Sequence, residues 1–160
     1  MQKISPLFAE ETIFLMPDEK TYTEKEILEF IGNKLVKLGY VKETFTTALI
    51  KRENEYPTGL KMEPFSVAIP HTDARHAIRQ CVCIVRLKNG VEFHEMMDSN
   101  KTIKVNCVFC IVLTRPDKQT DVLQNIISIA STKELMDKIE KAHTPKDVLE
   151  IISKSQCQNS

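Results

Sequence analysis

The sequence predicts an α/β fold: one domain over residues 1–160, with a mixed β-sheet sandwiched by α-helices. Three observations carry this expectation. Short apolar runs alternate with segments of helical periodicity. One run, Ile103 to Leu113, is apolar almost without a break, which suits a central strand covered on both faces. Capping boxes and a Thr-Pro pair mark helix starts directly ahead of apolar stripes.

In chain order, Ile13-Phe14-Leu15-Met16 stops at Pro17-Asp18 and reads as an edge strand. Thr23-Glu24-Lys25-Glu26 is a capping box, in which the Thr hydroxyl and Glu26 satisfy free N–H groups at a helix start. Ile27, Leu28, Ile31, Leu35 and Leu38 then form one apolar stripe, closed by Gly39. A second helix, about Glu43 to Asn54, turns Phe45, Ala48 and Leu49 inward. Arg52 extends the Ala48 face, and Tyr56-Pro57-Thr58-Gly59 enforces the stop.

Val67-Ala68-Ile69 reads as the end of a buried strand. Cys81 to Leu87 reads as a strand, Lys88-Asn89-Gly90 as a hairpin turn, and Val91-Glu92-Phe93 as the return strand. After Ile103–Leu113 come three helical patterns. The first, about Lys118 to Ala130, turns Val122, Leu123, Ile126, Ile127 and Ala130 inward. The second follows the box Ser131-Thr132-Lys133-Glu134, and the third starts at Thr144 with Pro145 as its first residue. A polar tail from about residue 155 is expected to fray.

With 22 basic against 22 acidic residues, the charge balance gives no general pull toward nucleic acid or membrane. No stretch approaches the roughly 18 apolar residues of a membrane span. The start, Met1 to Pro6, lacks a signal-peptide core, so a cytoplasmic protein without membrane insertion is expected. Five cysteines, an odd number, agree with a reducing compartment. Cys81-x-Cys83 and Cys107-x-x-Cys110 superficially suggest zinc ligands. On strands, however, Cys81 and Cys83 share a face while Cys107 and Cys110 point to opposite faces. No metal site and no cofactor are expected.

The stretch that organises the chain is Val67-Ala68-Ile69-Pro70-His71-Thr72-Asp73. Pro70 gives no N–H to a ladder and fixes its own φ, so it ends the strand and stiffens the exit on which His71 sits. A Pro-His pair alone is ordinary. Ahead of it stands Arg52, followed by Glu53-Asn54-Glu55-Tyr56-Pro57-Thr58-Gly59-Leu60. Together the two segments resemble the EIIA component of the sugar phosphotransferase system, in its fructose–mannitol type. The Arg-x-x-x-Tyr-Pro-Thr-Gly lead-in is similar to the galactitol branch, and the resemblance runs over nearly the whole chain.

The resemblance implies a phosphocarrier with His71 as its active-site histidine. A neutral imidazole is a good nucleophile near pH 7 and a competent leaving group. Phosphoryl transfer needs positioning, together with positive charge or N–H dipoles around the equatorial oxygens. Arg52 matches the arginine of the family's lead-in, and its donor fork fits phosphate; its bland alternative is a solvated helix-end side chain. The N–H groups of Thr72 and Asp73 are further candidates if the loop turns there. The family usually carries a second active-site histidine after the central strand. Aligning Val122 and Leu123 on the family's apolar pair puts Gln119 in that position, as in the galactitol branch. Glutamine donates a hydrogen bond but carries no proton or charge. His76 is near enough in sequence to line the same pocket, yet it reads as a surface histidine, and His94 and His143 read as structural or solvated.

The implied partners are HPr as phosphoryl donor and EIIB as acceptor through a cysteine, with the membrane component EIIC involved indirectly and on a separate chain. Sugar or sugar-alcohol uptake, galactitol-like, is the expected role. The alternative is a regulatory module like the nitrogen-type EIIA proteins, whose phosphorylation state alters a partner without transport.

Overall fold

The computed structural model describes residues 4–17 and 19–158. Ten elements build it: β1 (Ile13–Leu15), α1 (Glu24–Lys37), α2 (Phe45–Glu55), β2 (Gly59–Leu60), β3 (Ser66–Ala68), β4 (Cys81–His94), β5 (Thr102–Val112), α3 (Gln119–Ser131), α4 (Lys133–Lys141) and α5 (Pro145–Gln158). Short 3-10 turns join them. The strands form one mixed sheet in the order β1-β4-β5-β3-β2. β1 runs parallel to β4 and β3 parallel to β5, while β4–β5 and β2–β3 are antiparallel.

β5 lies at the centre, as its unbroken apolar run requires. Its residues alternate between two cores. Cys107, Phe109 and Ile111 pack with residues of α3, α4 and α5 on one face. Val105, Val108, Cys110 and Val112 pack with α1 and α2 on the other. The mixed α/β sandwich expected from the sequence is the architecture observed. Cys81 and Cys83 share the second face, and Cys107 and Cys110 take opposite faces, as strand alternation dictates.

Helix starts follow local chemistry. The Thr23 hydroxyl accepts from Glu26 N–H at 3.1 Å, and the Glu26 carboxylate accepts from Thr23 N–H at 3.0 Å. Thr144 and Asp147 make the same reciprocal pair ahead of α5, at 3.1 and 3.2 Å. Gly39, at φ 84°, ends the α1 segment where an L side chain would be strained.

Four expectations need correction. Lys88-Asn89-Gly90 is no hairpin turn, and Val91 to Phe93 is no return strand: β4 runs straight through to His94, paired with β5 on both sides of the irregularity. Arg86 faces Cys107 and Val91 faces Val105, so Leu87 to Gly90 bulge opposite Asn106. The Asn106 amide closes the bulge, donating at 3.3 Å to the carbonyls of Leu87 and Lys88. Gly90 sits at φ 74°, and a Cβ there would lie 2.3 Å from Lys104 Cγ. A bulge and a hairpin turn both call for glycine at positive φ, so the local signal does not separate them.

The Ser131 box does not form. α3 ends at Ser131 and α4 begins at Lys133, so the Ser131 hydroxyl is spent backward on the Ile127 carbonyl at 2.6 Å. α5 continues past residue 155 to Gln158, and the rest of the expected tail, 159–160, lies outside the described residues. Gln156 is buried there, its Oε1 accepting the Ile4 N–H at 3.2 Å. Leu38, expected on the α1 stripe, lies past the last helical residue and is exposed.

Candidate active site

β3 and β5 are parallel neighbours, so their C-terminal ends open on the same side of the sheet, where crevices beside α/β sheets form. His71 emerges there. After β3 the chain stays against β5: Ile111 N–H donates to the Pro70 carbonyl at 3.0 Å, and His71 pairs beside Ile111. The half-buried imidazole lines a hollow of about 60 Å³ together with Thr72, Asp73, Ile111, Leu113 and Gln119. The structure thus brings Gln119, first residue of α3, to the same hollow as His71. Thr72 and Asp73 stand at its rim, where the loop turns into Ala74–His76.

The two ring nitrogens of His71 differ. Nδ1 lies 2.9 Å from the Ile69 carbonyl, which accepts only, so Nδ1 carries the proton. Burial, and then the Arg52 charge, hold His71 below the ordinary histidine pKa against the raising pull of that carbonyl. The ring is therefore neutral near pH 7, and Nε2 keeps a free lone pair. Among the described residues no group hydrogen-bonds Nε2. The arrangement is that of a nucleophile with its tautomer set.

Arg52 is half-buried on the last turn of α2, its guanidinium stacked 4.5 Å from the Tyr56 ring centroid. Among the described residues no carboxylate pairs with it. A fork of donors near an unprotonated imidazole suits an anionic group. His76 instead pairs its Nδ1 with the Thr44 hydroxyl at 2.8 Å, and His94 pairs with Glu24 at 3.2 Å. His143 is exposed.

Sequence reasoning missed Glu53. It is 2% exposed, on the α2 stripe of Phe45 and Leu49, where an acid has no place without partners. Its two oxygens accept from Thr58, from the backbone N–H at 2.7 Å and from the hydroxyl at 2.8 Å. Burial pushes the carboxyl up to about 7, despite the Thr58 donors that lower it and with a further rise from the Glu24 charge. The spacing Phe45, Leu49, Glu53 was the available signal: an i, i+4, i+8 series ending in a carboxylate.

Burial holds the thiols of Cys81, Cys83, Cys107 and Cys110 well above the usual thiol range. They act as small apolar side chains. Among the described residues no group of three or more His, Cys, Asp or Glu is placed to hold a metal ion.

With this geometry in place, comparison defines the class. The family model for the phosphoenolpyruvate-dependent sugar phosphotransferase system, EIIA 2, matches residues 6–155, and the chain belongs to that family. Over 99 residues it is 36% identical to the galactitol-specific EIIA component of Escherichia coli (strain K12), covering 62% of this chain and 65% of that relative. The match thus spans just under two thirds of the relative's length. It is 28% identical over 150 residues to the mannitol-specific phosphotransferase enzyme IIA component of Bacillus subtilis (strain 168), covering 92% and 96%. Among solved structures, the complex of enzyme IIAMTL and phosphorylated enzyme IIBMTL from Escherichia coli superimposes with a TM-score of 0.74 at 25% identity, covering 92% of this chain and 97% of that one.

Proposed function

We propose that the protein is a cytoplasmic phosphocarrier of a sugar phosphotransferase system. It takes a phosphoryl group from phosphorylated HPr onto Nε2 of His71 and passes it to a cysteine of EIIB. A sugar-alcohol of the galactitol type is the favoured cargo of the system, on the strength of the galactitol-specific relative. The observation that carries the relay is the bare Nε2 lone pair beside the hollow, with Nδ1–H committed to Ile69. In the first step Nε2 bonds phosphorus as the donor's N–P bond breaks, and that electron pair returns to the donor imidazole. The Nδ1 proton remains on His71, so the new cationic ring keeps its hydrogen bond to the Ile69 carbonyl. In the second step the EIIB thiolate attacks phosphorus, and the N–P pair returns to Nε2 as neutral imidazole. Arg52 neutralises the phosphoryl oxygens in both directions, and Gln119 offers an amide donor. The transport components among the relatives, and the Tyr-Pro-Thr-Gly lead-in, favour relay over regulation. Phosphorylation by phosphoenolpyruvate, Enzyme I and HPr, with mapping of the modified residue, tests the reading: label on no histidine would end it.

Two expectations follow for the supporting side chains. Arg52→Lys keeps the charge that depresses the His71 pKa but loses the planar fork. Transfer should slow by one to two decades, the equivalent of about 1.5–3 kcal/mol of charge-assisted bonding. The pH profile should not move, and activity should hold to a lower pH than an ordinary histidine, of pKa about 6.5, allows, because burial and the Arg52 charge lower the His71 pKa. An unchanged rate in both directions would return Arg52 to the helix surface.

Gln119→Ala should slow transfer by less than loss of His71, and Gln119→His should add an ionisation near neutral pH. Pre-steady-state transfer from phosphorylated HPr between about pH 5.5 and 8.5 brackets that ionisation. Superimposable profiles for the three proteins would place position 119 outside the reaction.

A further inference from the structure

We propose that Glu53 and Thr58 are positioning residues for His71: they anchor the strand end whose carbonyl sets the tautomer and aim of the imidazole. The inference rests on the phosphocarrier reading for its consequence, and on contacts for its geometry.

The contacts form one chain. Glu53 accepts both Thr58 donors, the backbone N–H at 2.7 Å and the hydroxyl at 2.8 Å. A hydroxyl has one proton, so once it is given to Glu53 only lone pairs remain to face Ile69. Ile69 N–H donates to that hydroxyl oxygen at 3.1 Å, and more weakly to the Thr58 carbonyl at 3.3 Å. The Ile69 carbonyl then accepts from His71 Nδ1 at 2.9 Å.

The Ile69–Pro70 peptide explains why such an anchor is needed. Proline supplies no N–H, so this peptide cannot be pinned through its own donor. Its carbonyl is held only from its neighbours: by the Ile69 N–H on one side, and by the Pro70 carbonyl bonded to Ile111 N–H at 3.0 Å on the other. The first clamp is Thr58, and what orients Thr58 is Glu53.

Packing alone does not call for this carboxylate. Glu53 occupies a helix stripe otherwise filled by Phe45 and Leu49, where an apolar residue would be cheaper. Both of its oxygens are spent on a single residue, which fixes direction rather than filling space. A partly anionic Glu53 also strengthens its own bonds from Thr58 and so the hold on Ile69 N–H. The Ile69 carbonyl held in place this way meets the Nδ1 proton in the resting ring and in the cationic ring of the phosphorylated state. Arg52 and Glu53, adjacent on α2, thereby serve one imidazole in two ways: the first by charge, the second through the backbone.

The test compares Thr58→Val, Thr58→Ser, Glu53→Leu and Glu53→Gln with wild type. Ring ¹⁵N shifts of unphosphorylated His71 report its tautomer without any phosphoryl donor. Transfer from phosphorylated HPr is measured per folded molecule, with folding checked by thermal melts. Thr58→Val and Glu53→Leu should move His71 toward the Nε2–H form and slow transfer roughly tenfold. Thr58→Ser should restore both readouts, because the hydroxyl is retained. Glu53→Gln keeps one acceptor and should fall between, which also covers the case in which Glu53→Leu does not fold. An unchanged tautomer with transfer within about twofold of wild type in the folded variants overturns the inference, and so does a Thr58→Ser variant as impaired as Thr58→Val. If wild type takes no label while the tautomer shifts as described, the relay reading fails and the anchor stands.

Discussion

Replacing His71 by alanine is expected to abolish phosphoryl acceptance from phosphorylated HPr while leaving the fold in place. The hollow at the ends of β3 and β5 contains no second imidazole. His76 is turned to Thr44 and His94 to Glu24, so neither substitutes. The structural cost is small. The half-buried ring contributes one hydrogen bond, to Ile69, worth about 1 kcal/mol or less. A melting midpoint within about 4 °C of wild type is the expected companion result for a domain of this size. Label persisting in the variant, on any of the other three histidines, would displace His71 as the acceptor.

The largest expected loss of stability lies elsewhere on the same α3–α5 face of the sheet, away from the hollow. Arg86, in mid-β4, is 5% exposed and reaches under the C-terminus of α4. Its Nη1 donates to the Ile139 carbonyl at 3.1 Å, which also accepts from Ala142 N–H at 3.3 Å, and to the Ala142 carbonyl just past the helix end. Its charge also complements the helix dipole there. Arg86→Met keeps the length of the stem but takes the arginine donor from the Ala142 carbonyl in an apolar layer, while the Ile139 carbonyl keeps its bond from Ala142 N–H. At about 1–3 kcal/mol for one buried unsatisfied acceptor, with the lost second bond and the helix-dipole contribution beside it, the variant should lose about 2–4 kcal/mol. The Arg86 Nε, buried without a partner, is relieved by the substitution and pulls the figure toward the lower end. Urea titration and thermal melts check this. A midpoint within about 2 °C of wild type would mean that water or backbone adjustment replaces the arginine. Transfer at low temperature should be untouched, since Arg86 does not line the His71 hollow.

The α1 capping box and the β5 run were legible because a single local pattern determines each, and both appear where expected. His71 was legible as a place: a proline ending an apolar strand leaves the next side chain at the sheet's rim. Its tautomer was not legible, because that depends on which carbonyl the ring meets. Lys88-Asn89-Gly90 misled because positive φ at Gly90 serves a bulge as readily as a turn; only the partner strand decides between them. Ser131 misled because one hydroxyl cannot serve two helix ends, and α3 claims it first. Glu53 was overlooked although it sits inside the lead-in motif, because its value lies in Thr58 and Ile69, residues that the fold alone brings into contact with it.

The lengths of the five strands carry a colloidal consequence. The two longest, β4 and β5 with 14 and 11 residues, lie inside the strand order and pair with each other, and β1 covers β4 from Ile84 to Arg86. The sheet's borders fall to β1, three residues running straight into Met16 and Pro17, and to β2, only two residues long. The β2 border is capped further where Met96 N–H donates to the Gly59 carbonyl at 2.9 Å. Unpaired strand edges recruit other chains, and short or obstructed ones do not. Borders this short limit the edge-to-edge joining of sheets between molecules. The molecule offers the hollow at His71, rather than an open ladder, to whatever it collides with.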